Sequence, residues 1–215
     1  QHVTDAANCE KFEKAWGGAA TGKLGLTVIE RLEGVESGQW RCLYVIGENP
    51  MTSDPDLNHV KHALRQTEFM VLQEIFPSET AQYADVVLPA ASWAEKEGTF
   101  TNTERRIQRV RKAVPAPGEA RLDSDIVIAL AKRMIALGAA APDPDAPWAD
   151  WEYRGPQDVM AEVNALTPIY AGVTYERLEA GAQLQWPVRG KDHPGTPVLH
   201  VGQFSRGLGR GTGDA

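Results

Sequence analysis

Three short apolar runs, separated by segments that favour helices, constrain the fold of this chain most strongly. The runs are CLYVIG, FMVLQEIF and DVVLP, which begin at Cys42, Phe69 and Asp85. Continuous apolar runs of this length are typical of parallel strands whose two faces are both covered. Short connections that contain helices favour a right-handed parallel arrangement. The sequence therefore predicts an α/β fold with a Rossmann-like, three-layer parallel sheet.

Periodicity and turn residues divide the chain into three predicted parts. They are a linker and edge segment over residues 1–40, the Rossmann-like domain over residues 41–138, and a helical and irregular extension over residues 139–215. Additional helices are predicted over 26–34, 157–166 and 174–179, where apolar residues recur at helical spacing.

Capping residues mark the ends of two helices in the predicted domain. Asp54 is a suitable N-cap, and Pro55 would stand at the first helical position, where its missing N–H is tolerated. Asp123 or Ser124 would cap a later helix, and Gly138 is a suitable residue to follow its C-terminus.

Net charge and hydropathy disfavour two classes of partner. The net charge of −7 and the pI of about 5.3 disfavour nucleic acid and anionic membranes. No apolar run approaches the roughly 18 residues of a membrane span.

Cys9 and Cys42 are too few for a cysteine-ligated cluster, and we interpret them as small buried hydrophobes in a reducing, cytoplasmic compartment. Because the chain starts at Gln1 and ends in RGLGRGTGDA, we expect it to be a piece of a longer polypeptide.

Polar side chains follow two of the predicted strands at the point where each strand ends. Asn49 follows the first strand, and Gln73 and Glu74 end the second. In open parallel sheets ligands bind at the carboxyl ends of the strands, where amides and carboxylates can recognise the edge of a heterocycle. The alternative is that these residues only terminate strands and cap turns. Neither GxGxxG nor GxxxxGK[ST] occurs, so the standard nucleotide fingerprints do not decide between the two.

A basic segment follows the third strand in this otherwise acidic chain. It contains Lys96, Arg105, Arg106, Arg109 and Arg111, which suggests contact with an anionic ligand or an acidic partner. The alternative, which the pattern alone favours, is a solvated hairpin whose charges face water.

No catalytic or metal-binding constellation is evident from the residues alone. His59 and His62 lack a third ligand at metal-binding spacing, and we interpret them as surface helix residues. His193 and His200 have no nucleophile elbow or cysteine beside them. The pattern predicts a ligand-binding architecture with no catalytic residue and no protein ligand to a metal in this segment.

The order of the longer motifs resembles that of the molybdopterin oxidoreductase family. The motifs are IGENPMTSDPDLNHV, VLQEIFPSETAQYADVVLPAASWAEKEGTFTNTERRIQ and GEARLDSDIVIALAKRM. Within the family, these motifs are most similar to the alpha (catalytic) subunits of molybdenum- or tungsten-dependent formate dehydrogenases, and TYERLEAGAQLQWPV and DHPGTPVLH add to that similarity.

This resemblance implies a bis(molybdopterin guanine dinucleotide) cofactor that carries Mo or W. The chain would be the middle segment that holds one guanine dinucleotide, inactive by itself, within an enzyme that oxidises formate to CO2 and passes electrons to iron–sulfur centres. A [4Fe–4S] domain and a final cofactor-binding domain would lie outside this chain. The implied partners are these domains of the same subunit, iron–sulfur subunits, and flavin- or NAD-linked subunits.

The resemblance also implies roles for the residues at the strand ends. Asn49 would contact the dinucleotide where the first strand ends. Gln73 and Glu74 would lie beside its ribose and guanine. A guanine edge presents adjacent N–H donors, which suits carboxylate and amide acceptors.

Two further residues receive roles in the same way. Lys96 would reach the pterin or phosphate part of the cofactor, and Asp123 would accept from the guanine amino and ring N–H groups. The family usually has Asp-Trp where this chain has Asp123 and Ser124, which leaves Asp125 as a rival for that role.

Two alternatives stay open at this point. One is a segment of another molybdopterin oxidoreductase, such as assimilatory nitrate reductase. The other is a cofactor-free relative, such as the large iron–sulfur subunit of respiratory complex I. The joint presence of Asn49, Gln73, Lys96 and Asp123 favours a working cofactor site.

Overall fold

A computed structural model describes residues 1–199 of the chain. His200 and the end of the predicted C-terminal extension lie outside the described residues. The helices are α1 (Ala6–Trp16), α2 (Val28–Glu36), α3 (Pro50–Ser53), α4 (Leu57–Gln66), α5 (Asp123–Ala136), α6 (Pro156–Leu166) and α7 (Tyr175–Glu179). The strands are β1 (Cys42–Ile46), β2 (Phe69–Glu74), β3 (Val86–Pro89), β4 (Gly98–Thr101) and β5 (Ile107–Val110). Two 3-10 turns cover Glu79–Tyr83 and Pro168–Tyr170.

The three predicted apolar runs form one parallel sheet in the order β1–β2–β3. Gln73 of β2 lies opposite Ile46 of β1 and Leu88 of β3, so all three strands end at the same edge. The predicted α/β fold with a parallel sheet is confirmed.

Apolar side chains on one face of this sheet form the first core. Met70 is fully buried there and packs with residues of α2 and α4. The buried members of this core are Leu32, Val60, Ala63, Leu64 and Met70. Residues two apart in a strand share a face, so Tyr44, Val71 and Gln73 point to the opposite face.

The observed caps correct two predictions. Asp54 ends the short helix α3, and α4 is instead capped by Asp56, whose carboxylate accepts from the backbone N–H of His59 at 3.1 Å. Leu122 is the N-cap residue of α5 and makes no side-chain bond, so Asp123 is the first helical residue. The Asp123 side chain is thereby available for other contacts.

The N-terminal part of the chain is more regular than its weak periodicity predicted. α1 begins after Asp5, whose carboxylate accepts from the backbone N–H groups of Ala7 and Asn8. The prediction of two buried cysteines is wrong. Cys42 is exposed because it is the first residue of β1, and Cys9 is half-buried.

Contacts divide the chain into two units, each with its own core. Unit 1 contains residues 1–96 and 111–151, with the parallel sheet. Among the described residues, unit 2 contains residues 97–110 and 152–199, with the antiparallel pair β4–β5. The core of unit 2 consists of Ile107, Val173, Leu178, Leu184 and Val188. The three-part functional division drawn from the sequence stays a prediction.

Within residues 1–199 no helix combines the length and the apolar character needed to cross a membrane.

Candidate functional site

The carboxyl edge of the parallel sheet in unit 1 collects several of the predicted site residues. Gly47 adopts a left-handed conformation (φ 61°) and donates its backbone N–H to the carbonyl of Gln73 at 2.9 Å. A left-handed turn favours glycine because it lacks a Cβ atom. The chain thereby leaves β1 directly beside the end of β2.

A single parallel bridge brings Asp123 to the same edge. The backbone N–H of Ala91 donates to the carbonyl of Arg121 at 2.7 Å, and the N–H of Arg121 donates to the carbonyl of Pro89 at 3.1 Å. Arg121 therefore extends the sheet beyond β3, and α5 begins two residues later. No apolar run in the sequence predicts this bridge.

Four side chains at this edge form a continuous polar chain. The Tyr44 hydroxyl donates to Oε1 of Gln73 at 2.5 Å. Nε2 of Gln73 donates to Oδ1 of Asp123 at 2.7 Å, and Nζ of Lys96 donates to Oδ2 of Asp123 at 2.5 Å. Gln73 is fully buried, while the side chains of Asp123 and Lys96 are 39% and 23% exposed. We call Tyr44, Gln73, Asp123 and Lys96 the polar chain.

The polar chain keeps the Asp123 carboxyl ionised. Partial burial is the largest single influence and by itself raises the pKa of this carboxyl. The hydrogen bonds from Lys96 and Gln73, with the charge of Lys96, together outweigh burial, and the pKa of Asp123 lies below its usual value. A carboxylate oxygen can accept more than one hydrogen bond, so the exposed side of Asp123 can receive a further donor.

Three members of the polar chain are predicted from the sequence, and Tyr44 is not. Gln73, Lys96 and Asp123 were all predicted site residues, and the structure brings them together. Tyr44 went unnoticed because an aromatic residue inside an apolar run is typical of a strand. The signal that could have found it is its hydroxyl, which needs a hydrogen-bond partner when buried.

Asn49 lies in a separate set of hydrogen bonds. Its Oδ1 accepts from the hydroxyl of Thr80 at 2.7 Å, and its Nδ2 donates to Oε2 of Glu79 at 2.6 Å. The bond from Asn49 is the main reason why the pKa of Glu79 is lowered. In this structure Asn49 ties the loop after β1 to the 3-10 turn at Glu79–Tyr83.

The two remaining acidic candidates differ from Asp123. Glu74 is half-buried, and its Oε1 accepts from the backbone N–H of Ile75 at 2.7 Å. Asp125 is exposed in the first turn of α5. Of the two rival aspartates, only Asp123 belongs to the polar chain.

Two arginines of the basic segment form ion pairs and hydrogen bonds with other residues of unit 2. Arg109 is 11% exposed, pairs with Glu97 at 2.8 Å and Glu179 at 2.9 Å, and lies over the ring of Tyr175 at 4.8 Å. Arg105 donates to backbone carbonyls, among them that of Thr196 at 2.8 Å. Neither predicted alternative, an anion-binding segment or a hairpin with solvated charges, describes these two side chains.

The histidines of α4 lie near polar neighbours. Nε2 of His59 is 3.2 Å from Oε2 of Glu36, and Nε2 of His62 is 2.7 Å from the side-chain amide of Gln66. Over residues 1–199 no group of three or more His, Cys, Asp or Glu side chains is arranged to hold a metal ion.

The protein is of the α/β class, and its polar chain lies at the carboxyl edge of a parallel sheet, where such proteins commonly bind ligands. The family model described as "Molybdopterin oxidoreductase" matches residues 7–133, and the chain belongs to this family. The predicted family membership is therefore confirmed, and it supports a molybdopterin-type cofactor.

Curated relatives of this chain include formate dehydrogenase subunits. The chain is 48% identical over 195 residues to the F420-dependent formate dehydrogenase 1 subunit alpha of Methanococcus maripaludis, covering 90% of this chain and 27% of that protein. It is 45% identical over 201 residues to the F420-dependent formate dehydrogenase subunit alpha of Methanocaldococcus jannaschii, covering 93% of this chain and 28% of that protein. The chain thus spans about a quarter of the length of these relatives.

A solved structure supports the fold. Acetylene hydratase from Pelobacter acetylenicus matches 87% of this chain and 24% of its own chain with a TM-score of 0.55. The sequence identity is 16%, so this comparison supports the fold alone.

The residues at the sheet edge have the chemistry to hold a molybdopterin-type cofactor. The ionised and partly exposed carboxylate of Asp123 suits adjacent N–H donors, and the ammonium group of Lys96 suits a phosphate. The fully buried amide of Gln73 donates a hydrogen bond to this carboxylate. Acceptor, positioning amide and cation are thus present at one edge.

The coupling between Lys96 and Asp123 gives a first testable prediction. Lys96→Met removes the main group that favours the ionised carboxyl, and only the hydrogen bonds from Gln73 and the backbone then oppose burial, so the pKa of Asp123 is expected to rise above its value in the wild type. The stability that the carboxylate contributes is present at neutral pH and is lost as the pH falls through the folded pKa. NMR titration of the Asp123 carboxyl carbon checks this, with Lys61→Met as a surface control. An unchanged pKa in Lys96→Met would contradict the coupling.

Proposed function

We propose that this chain is the cofactor-holding middle segment of a formate dehydrogenase that contains bis(molybdopterin guanine dinucleotide) with Mo or W. The observation that carries the proposal is the polar chain, in which Lys96, Asp123 and Gln73 meet at the carboxyl edge of the sheet. Its support in sequence is the identity of 45–48% to formate dehydrogenase alpha subunits.

Each predicted site residue has a role in this proposal. Asp123 accepts from the guanine edge while Gln73 fixes its orientation, and Glu74 contributes a further acceptor beside the ribose. Lys96 exchanges its ion pair with Asp123 for contact with the phosphate or pterin part. Asn49 supports the loop after β1 and contacts the dinucleotide. The metal-bearing cofactor supplies the two-electron chemistry that converts formate to CO2, and the protein supplies orientation and electrostatics.

The described residues bind and orient, and the segment by itself is not expected to be catalytic. The proposed partners are the other domains of the same subunit, which would include a [4Fe–4S] domain, together with iron–sulfur subunits and flavin- or NAD-linked subunits. The cytoplasmic location inferred from the cysteines stays a prediction.

The decisive experiment uses the complete polypeptide, produced anaerobically with molybdate or tungstate. We expect guanine nucleotide, measured as GMP after acid hydrolysis, together with bound Mo or W and formate-dependent reduction of a viologen dye. Nitrate-dependent oxidation of reduced viologen without formate activity would indicate the nitrate reductase alternative. A polypeptide without GMP and without Mo or W would indicate the cofactor-free alternative and contradict the proposal.

A further inference from the structure

We propose that Tyr44 is a positioning residue that orients the Gln73 amide and, through it, the carboxylate of Asp123. The inference rests on the proposed function, because it concerns how the same site holds guanine. Tyr44 donates to Oε1 of Gln73 at 2.5 Å, and Nε2 of Gln73 donates to Asp123 at 2.7 Å. Tyr44 does not contact Asp123 itself, so its influence passes through the amide.

The register of the sheet places the two side chains together. Tyr44 lies opposite Val71, and Gln73 follows two residues later on the same face of β2. Such diagonal neighbours are within reach of a long aromatic side chain. The phenol therefore meets the amide at the level where the strands end.

The charge on Asp123 sets the direction of every bond in the polar chain. An ionised carboxylate only accepts, so the Gln73 amide must turn its NH2 group toward Asp123 and its oxygen toward Tyr44. The amide oxygen then needs a donor, and the phenol hydroxyl supplies it. Burial and, to a smaller degree, the negative charge of Asp123 raise the pKa of Tyr44, which keeps the phenol protonated as that donor.

Gln73 is fully buried and Tyr44 is half-buried, and the phenol hydroxyl is the donor that the amide oxygen has in this structure. Without the hydroxyl, the amide oxygen loses its hydrogen bond and the amide loses the preference for its present orientation. A reversed amide would turn its oxygen toward the carboxylate, and the two acceptors would repel each other. Tyr44 thus determines how firmly Asp123 is held for a ligand.

Tyr44→Phe in the complete polypeptide tests this inference. We expect the rate of cofactor loss during dialysis, followed as acid-released GMP, to rise about fivefold to tenfold, which corresponds to one buried hydrogen bond. The pH at which the cofactor is lost in acid should move upward, because a less firmly held Asp123 protonates more easily. A change confined to folding would move the midpoint of acid unfolding, followed by circular dichroism, together with the pH of cofactor loss, so a shift in cofactor loss alone supports the inference. Tyr83→Phe, in the same unit, is the matched control.

A double-variant comparison keeps the test decisive if Tyr44→Phe lowers stability. In a Gln73→Leu background, removal of the Tyr44 hydroxyl should have no further effect on the loss rate, since Tyr44 acts through Gln73. Equal additional loss in both backgrounds, or an unchanged rate and midpoint in Tyr44→Phe, would overturn the inference while leaving the proposed function intact. A wild-type polypeptide without GMP would instead overturn the proposed function, and this inference with it.

Discussion

Asp123→Asn in the complete polypeptide is expected to lose most of its guanine nucleotide. The change keeps the size of the side chain but removes its charge, the ion pair with Lys96, and the ability to accept hydrogen bonds on both oxygens. A hydrogen bond to a charged group contributes about 1.5–3 kcal/mol, so the loss of one such bond weakens retention about tenfold to a hundredfold. Acid-released GMP per polypeptide, measured with bound Mo or W, gives the readout.

Asp125→Asn provides the matched control for this prediction. Asp125 lies in the same first turn of α5 and carries the same charge near the helix N-terminus, but its side chain is exposed. It should retain the cofactor at the wild-type level. Retention by Asp123→Asn together with loss by Asp125→Asn would assign the guanine contact to the rival residue. Equal far-UV circular dichroism spectra would exclude unfolding as the cause.

The sheet was predictable because its signals are local. CLYVIG, FMVLQEIF and DVVLP each carry the apolar continuity of a covered parallel strand, and they pair in the order of the chain. The polar end of the second run pointed to Gln73 for the same local reason. Boundaries were less predictable, since α3 and the cap of α4 depend on where a single turn closes.

The assembly of the candidate site was predictable only through the family resemblance. Asp123 reaches the sheet edge through one bridge between Ala90 and Arg121, which leaves no pattern in composition or periodicity. The partnership of Tyr44 with Gln73 depends on strand register, which single-sequence reasoning does not determine. Long-range contacts of this kind are features of the folded structure and not of any short window of sequence.

The basic segment shows most clearly that contacts between residues far apart in the sequence are not predictable from local pattern. Arg109 looks like a solvent-facing or ligand-binding residue in its local context, with several other arginines nearby. Its partner Glu179 lies 70 residues further along the chain. The charge of Arg109 is therefore compensated by a residue that no local pattern links to it.

Arg109→Met is expected to destabilise the β4–β5 hairpin by about 2–3 kcal/mol. Removing one partner of a buried ion pair costs about 3–5 kcal/mol, and a smaller loss is expected here because Glu97 and Glu179 are 44% exposed and regain water. Methionine keeps an unbranched apolar stem, so the loss reports the guanidinium group, including its donation to the carbonyl of Val110. Hydrogen–deuterium exchange of residues 97–110 in the complete polypeptide measures this local free energy.

Arg106→Met is the control for this last prediction. Arg106 pairs with Glu104, but their side chains are 42% and 69% exposed, and exposed pairs contribute about 0–1 kcal/mol. Exchange in Arg106→Met should therefore stay close to the wild type. Equal protection in both variants would mean that the Arg109 cluster is no stronger than a surface pair. An Arg109→Met polypeptide that keeps its hairpin protected but loses GMP would instead reveal an anion-binding arginine, and would contradict the structural role assigned to Arg109.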